Sequence, residues 1–104
     1  MKNQFFDVWR EYAAQFAFAL ERGNTYCHLL ETQAEPGILL KKKKKWLQLA
    51  DKTQNRLQEC LERANRQKAL NEMQTAFYEN QLQLVLKMQI DLETRAYKVR
   101  KAKA

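Results

Sequence analysis

Residues Ile38–Ala104 read ILLKKKKKWLQLADKTQNRLQECLERANRQKALNEMQTAFYENQLQLVLKMQIDLETRAYKVRKAKA, and this stretch decides the fold. It contains no glycine and no proline, the residues that most often interrupt regular structure. Good helix formers fill most of it. The polar run Asn65–Lys68 interrupts the apolar pattern, which resumes out of phase. Such a slip marks either a helix–helix connection or a stutter in one continuous helix. We favour the connection, which predicts helices over 38–65 and 68–101.

The second half of that stretch contains an alternation that is typical of a strand. Apolar residues stand at every second position of the run Leu82–Leu92, with Val85 as the exception. Taken alone, a period of two indicates a β-strand. The apolar residues are mostly Leu and Met rather than β-branched, and no second strand is available for pairing. We therefore predict a helix with a wide apolar arc.

The N-terminal region has the pattern of an amphipathic helix over residues 3–22. Its apolar stripe recurs every three or four residues and comprises Phe5, Trp9, Tyr12, Phe16 and Leu20. Gly23 stands where a helix commonly ends, and Asn24 or Thr25 can cap a short second helix over 25–34. Pro36 and Gly37 then predict a turn.

These elements predict an all-α fold. The whole chain, 1–104, forms one domain, a three- to four-helix bundle with a long C-terminal antiparallel helical hairpin and a basic tail over 98–104. A length of 104 residues with 45% hydrophobic residues suits one modest core.

The aromatic residues of the first helix have two interpretations. An aromatic stripe is usually core, because aromatic side chains bury the most apolar area per residue. The alternative is a surface for a partner protein. Phe6 and Phe18 lie off the main stripe and need a second contact surface. The predicted protein-binding residues are Phe5, Phe6, Trp9, Phe16 and Phe18.

Positive charge is unevenly distributed along this chain of net charge +7. Counting Lys and Arg against Asp and Glu, residues 1–40 carry −2, 41–68 carry +7, 69–93 carry −3 and 94–104 carry +5. The five lysines Lys41–Lys45 surround a helix on all sides, so we expect that turn to be exposed throughout. Such a run is either a functional surface or a solvated segment kept for solubility.

Folding the chain back at Asn65–Lys68 places residue 43 opposite about residue 90 and brings both basic regions to one end. This basic pole predicts a site for phosphate, as in nucleic acid, or for an acidic partner. Trp46 beside it either stacks on bases or anchors the helix end in the core. The predicted anion-binding residues are Lys41, Lys42, Lys43, Lys44, Lys45, Trp46, Lys98, Arg100, Lys101 and Lys103.

Catalytic and metal sites are not expected. Cys27, His28 and Cys60 offer at most three ligands without the spacing of a zinc site, and two cysteines do not make a disulfide framework. No glycine-rich phosphate loop, serine elbow or calcium loop is present. We predict no enzyme activity and no cofactor. No secretory signal is recognisable, which gives a cytoplasmic expectation.

Short segments of the chain resemble the FliT-type flagellar export chaperones. The segment Arg66–Asn71, preceded by Arg56-Leu57, is similar to part of that family, and so is the layout from Phe5 to Gly23 with Leu29-Leu30. The resemblance covers about a third of the chain, and the lysine run and basic tail depart from it. It implies an all-helical protein that holds a secretion client on an apolar helical groove.

The sequence therefore predicts a non-enzymatic helical partner-binding protein of adaptor, inhibitor or chaperone type. The aromatic first helix and the C-terminal hairpin would carry the binding, and surplus apolar residues favour a protein partner or self-association. The alternative is a nucleic-acid-binding accessory protein that uses the basic pole.

Overall fold

The computed structural model describes residues 4–32 and 37–103, with side chains up to Val99. Three α-helices occupy these residues: α1 (Gln4–Thr32), α2 (Gly37–Arg66) and α3 (Glu72–Lys103). No strand occurs in the described residues. The all-α prediction is confirmed, and the alternating run Leu82–Leu92 is helical. No helix within the described ranges is long and apolar enough to cross a membrane.

Helix α1 is longer than the sequence predicts. It continues through Gly23 to Thr32, so the predicted division into helices over 3–22 and 25–34 is wrong. Residues 3, 33 and 34 of those predicted helices lie outside the described part of the chain. Gly23 is buried within the helix and does not adopt a positive φ.

The close approach of α3 explains why glycine stands at position 23. A Cβ atom built there would lie 3.0 Å from Cδ2 and 3.2 Å from Cδ1 of Leu92, which is tighter than ordinary van der Waals contact. Glycine in a helix interior costs about 1 kcal/mol relative to alanine. Packing of Leu92, itself fully buried, offsets that cost. The glycine is therefore a packing residue rather than a helix end.

The connection between α2 and α3 is a short turn with two well-formed helix ends. The N–H of Ala69 donates to the carbonyl of Ala64, and the N–H of Lys68 donates to the carbonyl of Asn65. Lys68 has φ 52°, the left-handed conformation that closes a helix in this hydrogen-bond pattern. The polar run Asn65–Lys68 thus ends α2, although lysine takes the position that glycine usually occupies.

A reciprocal cap begins α3. The side chain of Asn71 accepts a hydrogen bond from the N–H of Gln74 at 2.8 Å, and the side chain of Gln74 accepts one from the N–H of Asn71 at 3.0 Å. This capping box satisfies two backbone donors that a helix start leaves without partners. It places the first residue of α3 at Glu72, four residues later than the predicted start at 68.

The three helices pack around one hydrophobic core, with α1 and α2 in the most extensive contact. Two hydrogen bonds give the register of α2 and α3: Lys43 Nζ donates to the Ala96 carbonyl, and Gln89 Nε2 donates to Asp51 Oδ1. Contacted residue numbers fall in α3 as they rise in α2, so these two helices run in opposite directions. Lys43 lies opposite residue 96 and not 90 as predicted, because the connecting turn lies further along the chain.

Candidate binding surfaces

The core contains most of the aromatic residues that the sequence assigned to a protein-binding surface. Phe5, Trp9 and Phe16 are buried, and Phe6 is half-buried against Tyr78 of α3 at a ring-centroid distance of 5.9 Å. Buried side chains cannot form a docking surface in this conformation. The stripe therefore has the core role, which was the other interpretation of the same pattern.

Tyr78 is the centre of the aromatic cluster at this end of the bundle. Its ring lies 4.8 Å from that of Phe5 and 5.1 Å from that of Trp9, both nearly edge to face. Edge-to-face aromatic pairs add to the stability that burial alone provides. Phe77 extends the cluster outward, 5.1 Å from Tyr78, and remains more than half exposed.

Phe18 differs from the other predicted aromatics because half of it is exposed. Its ring stands edge-on to Trp46 of α2 at 5.3 Å. The guanidinium of Arg22 lies over both rings, 5.6 Å from the Phe18 centroid and 5.8 Å from that of Trp46. Trp46 is half-buried and packs on the core, as the core-anchor interpretation expects, whereas stacking on bases stays a prediction.

The lysine run does not behave as a uniform exposed turn. Lys43 is only 5% exposed, and its Nζ donates a hydrogen bond of 3.2 Å to the carbonyl of Ala96. The expectation of exposure on every side is therefore wrong at this position. A long aliphatic stem lets lysine occupy a core-facing site while its ammonium reaches a polar group. Lys41, Lys42, Lys44 and Lys45 are exposed.

Exposed cations continue along the outer face of α2 beyond the lysine run. Lys41, Lys45, Lys52, Arg56 and Arg63 are all exposed, and their spacings of four and seven residues place them on one side of the helix. We call this set the basic ridge. It extends for about 33 Å at 1.5 Å per residue. Among these five, Arg56 has a nearby carboxylate, Glu59 at 3.7 Å.

Aromatic rings border the basic ridge on the side that faces α1. Lys45 Nζ lies 5.2 Å from the ring centroid of Trp46, and Lys42 Nζ lies 5.9 Å from that of Tyr26. Together with Arg22 over Phe18, these contacts alternate cations and rings along the α1–α2 boundary. The sequence identified the lysines and Trp46 but missed Arg22 and Tyr26, because their proximity depends on the register of α1 and α2.

The basic residues of the C-terminal region lie on α3 and not in a separate tail. The helix continues to Lys103, and Lys98 is exposed. The backbone of Arg100, Lys101 and Lys103 is helical, whereas their side chains lie outside the described residues. The contact between Lys43 and Ala96 brings this part of α3 beside the lysine run.

Arg95, which was not among the predicted site residues, joins α3 to α1. Its guanidinium donates to both carboxylate oxygens of Glu31, at 2.7 and 2.9 Å, and to Asn24 Oδ1 at 3.1 Å. Hydrogen bonding from Arg95 lowers the pKa of Glu31, and the same contact raises the pKa of Arg95. Arg95 is thus engaged within the fold and contributes little free charge to a binding surface.

The two thiols show the features of structural cysteines. Cys27 is buried and Cys60 is half-buried, and both are free. Burial raises the pKa of each thiol, which keeps it protonated and unreactive near neutral pH. Within the residues that the structure describes, no group of three or more His, Cys, Asp or Glu side chains could hold a metal ion.

Six of the nine exposed large hydrophobic side chains in the described part of the chain lie on α3. Met73 is 83% exposed, and the other members of its face are Phe77, Leu84 and Met88. Ile90 and Tyr97 are also exposed, on another side of the helix. The sequence indicated surplus apolar residues in this helix but not which face remains uncovered, since that depends on how α3 rotates against α1 and α2.

Comparison with protein-family models, with curated proteins and with solved structures finds no match to this chain. The resemblance to FliT-type export chaperones stays a prediction.

Proposed function

We propose that this chain is a non-enzymatic helical binding protein whose principal ligand is single-stranded nucleic acid. The binding surface would be the basic ridge of α2 with the aromatic rings beside it, in a three-helix bundle whose α2 and α3 form the predicted antiparallel hairpin. The observation that carries the proposal is the alternation of exposed cations with Trp46, Phe18 and Tyr26 along the α1–α2 boundary.

The chemistry of that boundary suits a phosphodiester chain. Lysine and arginine side chains bind phosphates and release counterions, which supplies most of the affinity in sequence-independent binding. Exposed aromatic rings give bases a surface on which to stack, and this requires unpaired bases. Phe18 is half exposed beside Arg22, so a base can reach it. These features favour a single strand over a duplex.

A salt titration with matched variants tests this proposal. The probe is a fluorescein-labelled single strand of mixed sequence, about 20 nucleotides long to exceed the site of one small domain. Binding is followed by fluorescence anisotropy between about 50 and 200 mM salt, the range over which counterion release has its largest effect. The ridge variant replaces Lys41, Lys45 and Lys52 with glutamine. The control variant replaces Arg10, Lys68 and Lys87 with glutamine. These residues are exposed outside the basic ridge, and the control variant has the same net charge as the ridge variant.

The wild-type protein should show a linear fall of log affinity with log salt concentration. Each phosphate contact contributes about 0.7 to the slope on a single strand, so loss of three contacts lowers its magnitude by about 2. The control variant should keep the wild-type slope. No binding at low salt, equal losses in both variants, or a preference for duplex or for anionic lipid vesicles would each contradict the proposal.

The predicted adaptor, inhibitor or chaperone role is a second candidate, favoured by the C-terminal hairpin rather than by the aromatic first helix, the other surface expected to carry it. Helix α1 buries the aromatics that were to carry it, whereas Met73, Phe77, Leu84 and Met88 form an exposed apolar face on α3. Exposed apolar patches of this kind commonly mark protein–protein contacts. Replacing Phe77 and Leu84 with serine should abolish such binding without unfolding the protein, because neither side chain is buried.

A further inference from the structure

The exposed apolar side chains of α3 lie on one narrow face. Met73, Phe77, Leu84 and Met88 fall within an arc of about 60° at 100° per residue. We call this set the α3 apolar face. A surface helix normally turns polar residues outward, so an outward stripe of Met, Phe and Leu indicates a helix that packs against something further.

Helix α1 borders this face with small and apolar residues. Leu20 and Asn24 of α1 line a cavity of about 270 Å³ together with Met88 and Arg95 of α3. Ala13 and Ala17 precede Leu20 and Asn24 on the same side of α1. Ala13 is half-buried and Ala17 is exposed. Small side chains let the backbone of another helix approach closely. Met88 places one end of the α3 apolar face beside this cavity at the boundary with α1.

The spacing of the four side chains is symmetric about the midpoint between Asn80 and Gln81. In an antiparallel pair of α3 helices centred there, Met73 of one copy lies opposite Met88 of the other, and Phe77 lies opposite Leu84. Each of these contacts occurs twice, as an interface with twofold symmetry requires. The polar residues Asn80 and Gln81 meet at the centre, where their amides can exchange hydrogen bonds.

Charge also favours this arrangement over a parallel one. Residues 94–104 carry a net charge of +5, and a parallel pair would place two such segments side by side. In the antiparallel pair, Lys98 of one copy is separated from Lys98 of the other by about 50 Å along the axis at 1.5 Å per residue. That distance exceeds the screening length of about 8 Å at physiological ionic strength, so repulsion between the two Lys98 side chains is negligible.

From the symmetric spacing and this charge distribution we infer that the occupant of the α3 apolar face is a second copy of the same chain, packed with its α3 antiparallel to the first. The dimer leaves the basic ridge of α2 outside the interface. The dimer inference therefore does not rest on the proposed nucleic-acid binding. Failure of either proposal leaves the other unchanged.

Sedimentation equilibrium of the full chain across a wide concentration range tests the dimer. Leu84→Glu places two carboxylates opposite apolar side chains and should weaken association at least about 100-fold. Ile90→Glu is the matched control, because Ile90 is also exposed on α3 but lies about 120° away from Leu84 around the helix. Its dimer should form as the wild type does. Circular dichroism of both variants confirms that the helices remain folded.

A charge exchange tests the antiparallel register. Phe77→Lys combined with Leu84→Glu places opposite charges next to each other across the antiparallel interface, twice per dimer. The double variant should recover most of the association that Leu84→Glu alone removes. A wild-type protein that stays monomeric at every concentration would overturn the inference. So would a dimer that Leu84→Glu leaves intact, or a double variant that is no tighter than Leu84→Glu.

Discussion

The ammonium of Lys43 donates a hydrogen bond of 3.2 Å to the main-chain carbonyl of Ala96, at a position where the lysine is 5% exposed. This contact joins the start of α2 to the end of α3 across 53 residues of sequence. Its neighbours Lys42 and Lys44 are exposed. One member of a run of five identical residues therefore belongs to the core, whereas the other four are exposed.

Replacement of Lys43 should separate packing from charge. Methionine has a similar length and fills the same space, so Lys43→Met should change the free energy of unfolding by no more than about 1 kcal/mol. Aspartate is shorter and would bury a carboxylate against a carbonyl, so Lys43→Asp should cost about 3 kcal/mol or more. Urea unfolding followed by circular dichroism gives both values.

The exposed neighbour provides the control. Lys44→Met and Lys44→Asp should each change stability by no more than about 0.5 kcal/mol. If Lys43→Asp is as mild as Lys44→Asp, Lys43 does not point into the core. A large loss in Lys43→Met would instead show that the hydrogen bond to Ala96 matters more than the packing of the stem.

Gly23 and Leu92 should be energetically coupled. Gly23→Ala gains about 1 kcal/mol of helix propensity but places a Cβ atom 3.0 Å from Leu92 Cδ2, so its net effect in the wild type should be small. In a Leu92→Ala background the obstruction is absent, and the same change should stabilise the protein by about 1 kcal/mol. Leu92→Ala alone should cost about 2–5 kcal/mol. Four unfolding curves complete the cycle, and equal effects of Gly23→Ala in both backgrounds would contradict it.

The sequence predicts helical segments well where one pattern decides them, and less well where two elements meet. Absence of Gly and Pro after residue 37 predicts the long helices, and the polar run Asn65–Lys68 marks where α2 ends. Gly23 is misjudged because the residue that requires it, Leu92, is 69 positions away along the chain. Lys43 is misjudged for the same reason, since only the register of α2 and α3 shows which lysine faces inward.

The candidate surfaces follow the same rule. The basic residues of α2 and Trp46 are visible in the sequence, but the rings of Phe18 and Tyr26 come from α1 and reach them only through tertiary contact. Most of the predicted protein-binding aromatics lie on the apolar stripe of an amphipathic helix. That pattern alone cannot distinguish a face that packs in the core from a face that binds a partner protein. In the structure Phe5 and Trp9 pack inside, whereas Phe77 and Leu84 remain more than half exposed.

Lys68 should be a site of stabilising substitution. Its φ of 52° lies in the left-handed region, which costs a residue other than glycine about 1 kcal/mol. Lys68→Gly should therefore raise the free energy of unfolding by about 0.5–1 kcal/mol, part of the gain being lost to greater freedom of the unfolded chain. Gln67→Gly is the control, since Gln67 has a negative φ and gains nothing. A loss of stability in Lys68→Gly would contradict the proposed helix end.

The contact between Glu31 and Arg95 should make stability depend on pH in the acid range. Hydrogen bonding from Arg95 lowers the pKa of the Glu31 carboxyl in the folded protein, so the carboxylate is favoured there relative to the unfolded chain. The stabilising contribution is fully present above the unfolded pKa of glutamate, and it disappears as pH falls through the lower folded value.

A double-mutant cycle with Glu31→Gln and Arg95→Gln should therefore give a favourable coupling at pH 7 that vanishes in strong acid. Arg56 and Glu59, 3.7 Å apart and more exposed, form the comparison pair and should show a weaker coupling at pH 7. A coupling between Glu31 and Arg95 that persists in acid would show that the contact is not between charged groups.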